Sequence, residues 1–180
     1  VESTDVGDEQ MHALIQCRRL TDLDLTLCNI TDAAAVSIAQ MPLRRLVLNN
    51  TSISDAFVGA VAQGCRALES LYVANTAITD VGLNAIGQHC VNLRHLDLRN
   101  SKITSAGLLA FARWEFPTFK YLDVSDCRKI YEDDVEAVQS DTGWEIRSEG
   151  IVAIREDSSD SSEDSSEGED EEDDQSDLEV

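Results

Sequence analysis

The chain has 180 residues, 42% of them hydrophobic, and its 35 acidic and 14 basic side chains leave a formal net charge of −21. That charge argues against a nucleic-acid partner, because carboxylates and phosphates repel. No apolar run approaches the roughly 18 residues that a transmembrane helix needs, and no signal-peptide core is visible.

Taken from the start, the chain opens on Val1 in what reads as the middle of a repeat, as expected of a fragment lacking an upstream module. Asp8 to Gln16 reads as the helical half of a repeat, so residues 1–16 are expected to form a partial N-terminal repeat or cap helix. A phrase of the form L-x-x-L-x-L then recurs at Leu20, Leu43, Leu68, Leu93 and Phe119, spaced 23, 25, 25 and 26 residues apart. Such a period implies one small structural unit stacked several times. Each phrase alternates, with Leu23 and Leu25 inward and Asp22, Asp24 and Thr26 outward, which is the period of a strand. A polar turn follows (Cys28-Asn29, Asn50-Thr51, Asn75-Thr76, Asn100-Ser101, Asp126-Cys127), then a branched plug residue: Ile30, Ile53, Ile78, Ile103 or Ile130.

A helix start comes next. Thr31-Asp32, Ser54-Asp55 and Thr79-Asp80 pair a hydroxyl N-cap with an acid in the first turn, and Thr104-Ser105 keeps only the hydroxyl. Apolar residues at helical spacing follow, such as Val58, Val61 and Ala62, or Leu83, Ile86 and Gly87. Because a helix returns the chain each time, successive strands must be parallel. The expected fold is an α/β solenoid of about five repeats over residues 17–142. Its parallel sheet is curved and concave, with helices on the convex side. Residues 143–155 lack the leucine phrase; Trp144, Ile146, Ile151 and Ile154 mark them as a C-terminal cap, a strand or hairpin.

Residues 156–180 carry 14 acids, 7 serines and no base. They have almost nothing apolar to bury and are expected to be disordered. Ser161, Ser166 and Ser176 each have an acid three residues on, the acceptor pattern of acidophilic casein-type kinases, and the C-terminal Asp177-Leu178-Glu179-Val180 suits a carboxylate-capturing groove. The five cysteines, Cys17, Cys28, Cys65, Cys90 and Cys127, have no C-x-x-C spacing and no paired histidine, so they are expected to be small buried thiols in a reducing compartment, cytoplasmic or nuclear.

No catalytic constellation is present: no phosphate-binding Gly loop, no nucleophile elbow, no H-E-x-x-H. No enzyme activity, cofactor or metal is expected. Strand alternation instead predicts the concave face. Its first row is Asp22, Arg45, Ser70, His95 and Tyr121, its second Asp24, Val47, Tyr72, Asp97 and Asp123, and its third Thr26, Asn49, Ala74, Arg99 and Ser125. Tyrosine and arginine are enriched in binding hot spots. The expected partner-binding residues are therefore Tyr72, His95, Arg99 and Tyr121, with Arg45 and Asp97 beside them. Asp24, Asp97 and Asp123 are expected to face outward as solvated or partner-facing carboxylates.

The units resemble leucine-rich repeats of the cysteine-containing subclass. The third unit carries the resemblance best, through Leu68, Leu71, Val73, Thr76, Ile78, Thr79, Asp80, Gly82, Leu83, Ile86, Gly87 and Cys90. In that subclass a cysteine after the strand bonds backbone of the neighbouring turn; here Thr51, Thr76 and Ser101 stand in its place. The resemblance implies a non-enzymatic protein-interaction module, as in the substrate receptors of cullin-type ubiquitin ligases, where an F-box precedes the repeats. No F-box-like segment occurs in this sequence, and no residue is assigned to adaptor binding. A second resemblance, to acidic leucine-rich nuclear phosphoproteins, implies an alternative: an acidic-tail chaperone binding basic proteins such as histones. Either reading suits a monomer or a subunit of a larger complex.

Overall fold

A computed structural model describes residues 6–152. The tail over 156–180, its serines Ser161, Ser166 and Ser176, and Ile154 lie outside the described residues.

The first helix, α1, spans Asp8–Leu14. Six three-residue strands follow: β1 (Asp22–Asp24), β2 (Arg45–Val47), β3 (Ser70–Tyr72), β4 (His95–Asp97), β5 (Tyr121–Asp123) and β6 (Glu145–Arg147). Between them lie a 3-10 turn (Asp32–Ala34) running into α2 (Ala35–Ile38), then α3 (Asp55–Gly64), α4 (Asp80–His89), α5 (Ser105–Phe111) and α6 (Glu132–Thr142). All six strands form one parallel sheet in chain order. The cap residues thus supply a sixth strand of the same sheet, paired Leu122 to Ile146, with Trp144 and Ile146 buried.

The strands stop after three residues because each runs into a left-handed turn. Asn50, Asn75, Asn100, Asp126 and Gly150 all have φ between 50° and 71°, where Asn, Asp and Gly are tolerated best. Leu27 occupies the same place in the first unit with φ 61°. The turn swings the chain so that Ile30, Ile53, Ile78, Ile103 and Ile130 plug the core, all at 0% exposure. That core is a continuous column of strand leucines facing helix residues such as Phe57, Leu83 and Phe111. At its C-terminal end Phe111, Phe116, Phe119 and Trp144 pack ring to ring, with Phe119 and Trp144 centroids 4.5 Å apart.

The helix starts tie one unit to the next. Thr31, Ser54, Thr79 and Thr104 cap their helices as expected, each side chain accepting a backbone N–H. The acid beside them does more than favour the helix dipole. Asp55 accepts from the backbone N–H of Thr79 at 2.8 Å, from its hydroxyl at 2.6 Å and from the N–H of Gly82 at 3.0 Å. Asp8 does the same to Thr31, Asp32 to Ser54 and Asp80 to Thr104. In the next unit Ser105 takes the place of the acid and accepts from the N–H of Tyr131 at 3.1 Å. Glycine makes room for the carboxylate, since a Cβ on Gly107 would lie 2.0 Å from Asp80 Oδ1.

Two expectations for the cysteines and hydroxyls are corrected. Cys28, Cys65, Cys90 and Cys127 are buried, but Cys17 is exposed. Cys65 donates to the carbonyls of Ile38 and Met41 in the preceding unit, whereas Cys17 sits before β1, at the outer end of the stack. Cys127 reaches the neighbouring turn at Leu98 O, 3.2 Å away, as the resemblance implies. Thr51 and Thr76 instead donate within their own turns, to Leu48 O and Val73 O at 2.6 Å. A hydroxyl is shorter than a thiol and has a ready acceptor three residues back.

Candidate functional site

The concave sheet face is the candidate site. Side chains two residues apart on a strand share a face, and the parallel register lines equivalent positions across neighbours. Asp22, Arg45, Ser70, His95, Tyr121 and Glu145 therefore form one row, and Asp24, Val47, Tyr72, Asp97, Asp123 and Arg147 the next. The third row continues through the backbone bonds from Asn75 N to Arg99 O and from Asn100 N to Ser125 O.

Within this lattice the expected residues fall into linked groups. The Arg45 guanidinium lies over the Tyr72 ring, 5.4 Å from its centroid. His95 and Tyr121 are tilted against each other with centroids 6.5 Å apart, and the Ser70 hydroxyl stands 3.4 Å from His95 Nδ1. Arg99 forks onto Asp97, with Nη2 to Oδ2 at 2.7 Å and Nε to Oδ1 at 3.0 Å, and its Nε also approaches Asp123 Oδ2 at 3.6 Å. Tyr121 donates its hydroxyl to Asp123 Oδ2 at 3.3 Å. Tyr72, His95 and Tyr121 are half-buried, and Arg45 and Arg99 are exposed.

Asp97 and Asp123 are not solvated. Both lie on the expected face but are only 4% and 3% exposed. Each also holds its own turn: Asp97 Oδ1 accepts from Arg99 N and Asp123 Oδ1 from Ser125 N, both at 3.0 Å. Asp24 makes the equivalent bond to Thr26 N. Two adjacent buried carboxylates need a cation, and the Arg99 guanidinium supplies it. Asp97 thus orients Arg99 rather than presenting itself at the surface. The hydrogen bonds from Arg99 to Asp97 hold the guanidinium charged, raising its pKa above the usual value. Burial, then the Asp123 charge, pushes the Tyr121 phenol upward, so it remains a donor.

The sixth strand adds residues that the repeat pattern did not reveal. Arg147 extends the second row beside Asp123, and Glu149 accepts from Arg147 Nη2 at 2.8 Å. The alternation Trp144-Glu145-Ile146-Arg147, with Ile146 in the middle, is the signal that could have placed them. No group of histidine, cysteine and carboxylate side chains suited to a metal occurs among the described residues. The face offers arginine and tyrosine side chains held in place by their neighbours on the sheet.

Residues 4–110 match the profile of a family described as FBD-associated F-box protein At5g56370, LRR repeats. No curated protein matches the chain in sequence. Among solved structures it is similar to an internalin (inlF) from Listeria monocytogenes, with a TM-score of 0.56 and 18% identity over 80% of this chain. The chain spans 46% of the internalin's length, and at this identity the likeness is one of fold.

Proposed function

Because the chain belongs to the leucine-rich-repeat family of the FBD-associated F-box proteins, we propose that it recognises a protein partner on its concave face, as the substrate-reading part of a ubiquitin-ligase receptor or a similar scaffold. Its family and fold are those of protein-interaction modules. The reading is carried by one observation: Tyr72 under Arg45, and Tyr121 beside His95 and Arg99, stand half-exposed across the four consecutive strands β2 to β5 of one sheet. Tyrosine offers a large contact area at low entropic cost, and arginine forks onto a partner's carboxylate or carbonyl. Pre-fixed side chains lose little further freedom on binding. The proposal places the protein in a reducing intracellular compartment, which suits Cys17, Cys28, Cys65, Cys90 and Cys127, none of which is in a disulfide.

The test uses the intact chain to capture a partner, then compares variants against that partner. Tyr72→Ala with Tyr121→Ala should weaken binding by more than about 2 kcal/mol, roughly thirtyfold, at nearly unchanged melting temperature. A ligase role further requires that the partner be ubiquitinated in a manner dependent on the chain. Should the double variant bind normally while deletion of 156–180 abolishes binding, the concave-face reading fails. The alternative, an acidic tail that binds basic proteins such as histones, then takes its place.

A further inference from the structure

The repeat brings together a second set of side chains, at the edge where helices return to strands. The residue just before each of the first five strands is Thr21, Arg44, Glu69, Arg94 and Lys120 in turn. Backbone bonds from Glu69 N to Arg44 O, Arg94 N to Glu69 O and Lys120 N to Arg94 O, at 2.8 to 2.9 Å, stack these as one continuous rung. Arg18, Arg19, Arg66 and Arg113 lie in the return loops of the same edge, with Glu115 as the one acid among them, and all seven bases are exposed. The one acid in the row, Glu69, is shared by Arg44 and Arg94 at 2.5 and 3.7 Å. Between these arginines is a cleft of about 220 Å³ lined by Arg44, Glu69, Asn92 and Arg94 with Ala67 and Thr118. In a chain of net charge −21, seven of the 14 bases are thus gathered on one rim with two acids, Glu69 and Glu115.

We propose that this rim is the docking surface for the chain's own acidic segment, residues 156–180, in cis. Charge complementarity is the first argument: that segment carries 14 acids and no base. The second is the field around its point of departure. The last described residue, Val152, pairs with Tyr131 on the opposite edge, beside the helix starts. Asp126, Glu132, Asp133 and Glu149 are exposed there, offset by Lys102, Arg128 and Lys129. The segment therefore leaves from a side with no net attraction for it and finds the surplus of bases across the sheet. Reach is the third argument. At about 3.3 Å per residue and 4.8 Å per strand step, the path to the Arg44–Arg94 cleft is roughly 30 to 40 Å, whereas 28 residues can span up to roughly 90 Å. A tethered segment also meets the rim at an effective concentration of order millimolar, which no free acidic peptide matches at ordinary concentrations. The rim borders the concave row that holds Arg45 and His95, so a docked segment lies along the edge of that face.

The chain's lysines make the test direct. Lys102, Lys120 and Lys129 are its only three; Lys120 is on the rim and the other two are on the edge from which the tail departs. Zero-length carbodiimide coupling of the dilute full-length chain, read by peptide mapping of the monomer, reports which amine the tail carboxylates touch. At about 20 mM salt the tail should link to Lys120, and at about 500 mM that link should fall at least tenfold, since exposed charges are screened. Arg44→Glu with Arg94→Glu should lower the Lys120 link several-fold and leave the Lys129 link unchanged, with an unaltered circular-dichroism melt showing that the variant remains folded. The salt series on the unaltered chain decides the matter if that variant is unstable. Tail links confined to Lys102 and Lys129, a Lys120 link found only in crosslinked dimers, or a Lys120 link insensitive to salt would overturn the proposal.

Discussion

Leu27 is the residue least suited to its conformation. Five equivalent turn positions hold Asn, Asp or Gly at positive φ, and this one holds a leucine at φ 61° that is 40% exposed and so gains little from burial. The left-handed region costs a residue with a bulky side chain roughly 1–2 kcal/mol, and asparagine recovers part of that. Leu27→Asn should therefore raise the unfolding free energy by up to about 1 kcal/mol in denaturant melts; a loss of stability would mean that the Leu27 side chain is held by contacts stronger than this strain. The thiols make a second residue-scale case. Burial raises Cys65 to about 11 and Cys90 to about 12, from an ordinary value of 9.0. The folded state therefore holds these protons more tightly than the unfolded state does. Their contribution to stability is present in full below pH 9 and is lost as pH rises through 11 and 12. Denaturant midpoints should fall above pH 9, and less so in Cys65→Ala with Cys90→Ala. Under native conditions at neutral pH an alkylating reagent should label Cys17 fast and the four buried cysteines slowly.

At the scale of the element, the strand–turn–helix unit is joined to its neighbour by packing and by the carboxylate ladder. Leu96 is fully buried in the middle strand of the column, and Leu96→Ala should cost about 2–5 kcal/mol. The ladder is smaller but directional. Removing Asp55 leaves the Thr79 N–H and hydroxyl and the Gly82 N–H without their acceptor at a half-buried joint, so Asp55→Ala should cost about 2–3 kcal/mol. A loss near zero in equilibrium unfolding would show that water replaces the carboxylate there. Sequence spacing identified Asp55 as a first-turn acid but not as a clamp on Thr79, because its partner is 24 residues away. Only the stacking distance between units shows that the carboxylate reaches it.

As a whole molecule, a solenoid couples each unit chiefly to its neighbours, so damage at one end should remain local. Trp144 closes the aromatic end of the column against Phe111, Phe116 and Phe119. Trp144→Ala should cost about 3–5 kcal/mol of local stability. In hydrogen exchange the loss of amide protection should concentrate in β5, α6 and β6 and leave β2 and α3 nearly unchanged; uniform loss would mean a globally cooperative fold. The concave face and the basic rim belong to this scale as well, since each is assembled from residues about 25 positions apart in the chain.

The repeat, the inward and outward strand positions, the caps and hence the parallel sheet were all legible in the order of the residues. All of these follow from local periodicity, and Leu71, Leu96 and Leu122 line up across the sheet as that periodicity requires. The composition of the concave rows was legible for the same reason. What the tertiary structure alone decided was which of those side chains meet solvent. Asp97 and Asp123 read as outward-facing and are buried, because exposure depends on what leans over a residue from its own strand and the next, here Arg99 over both carboxylates and Tyr121 over Asp123. Strand alternation gives a side chain its direction, but only the packed neighbours determine whether it is covered.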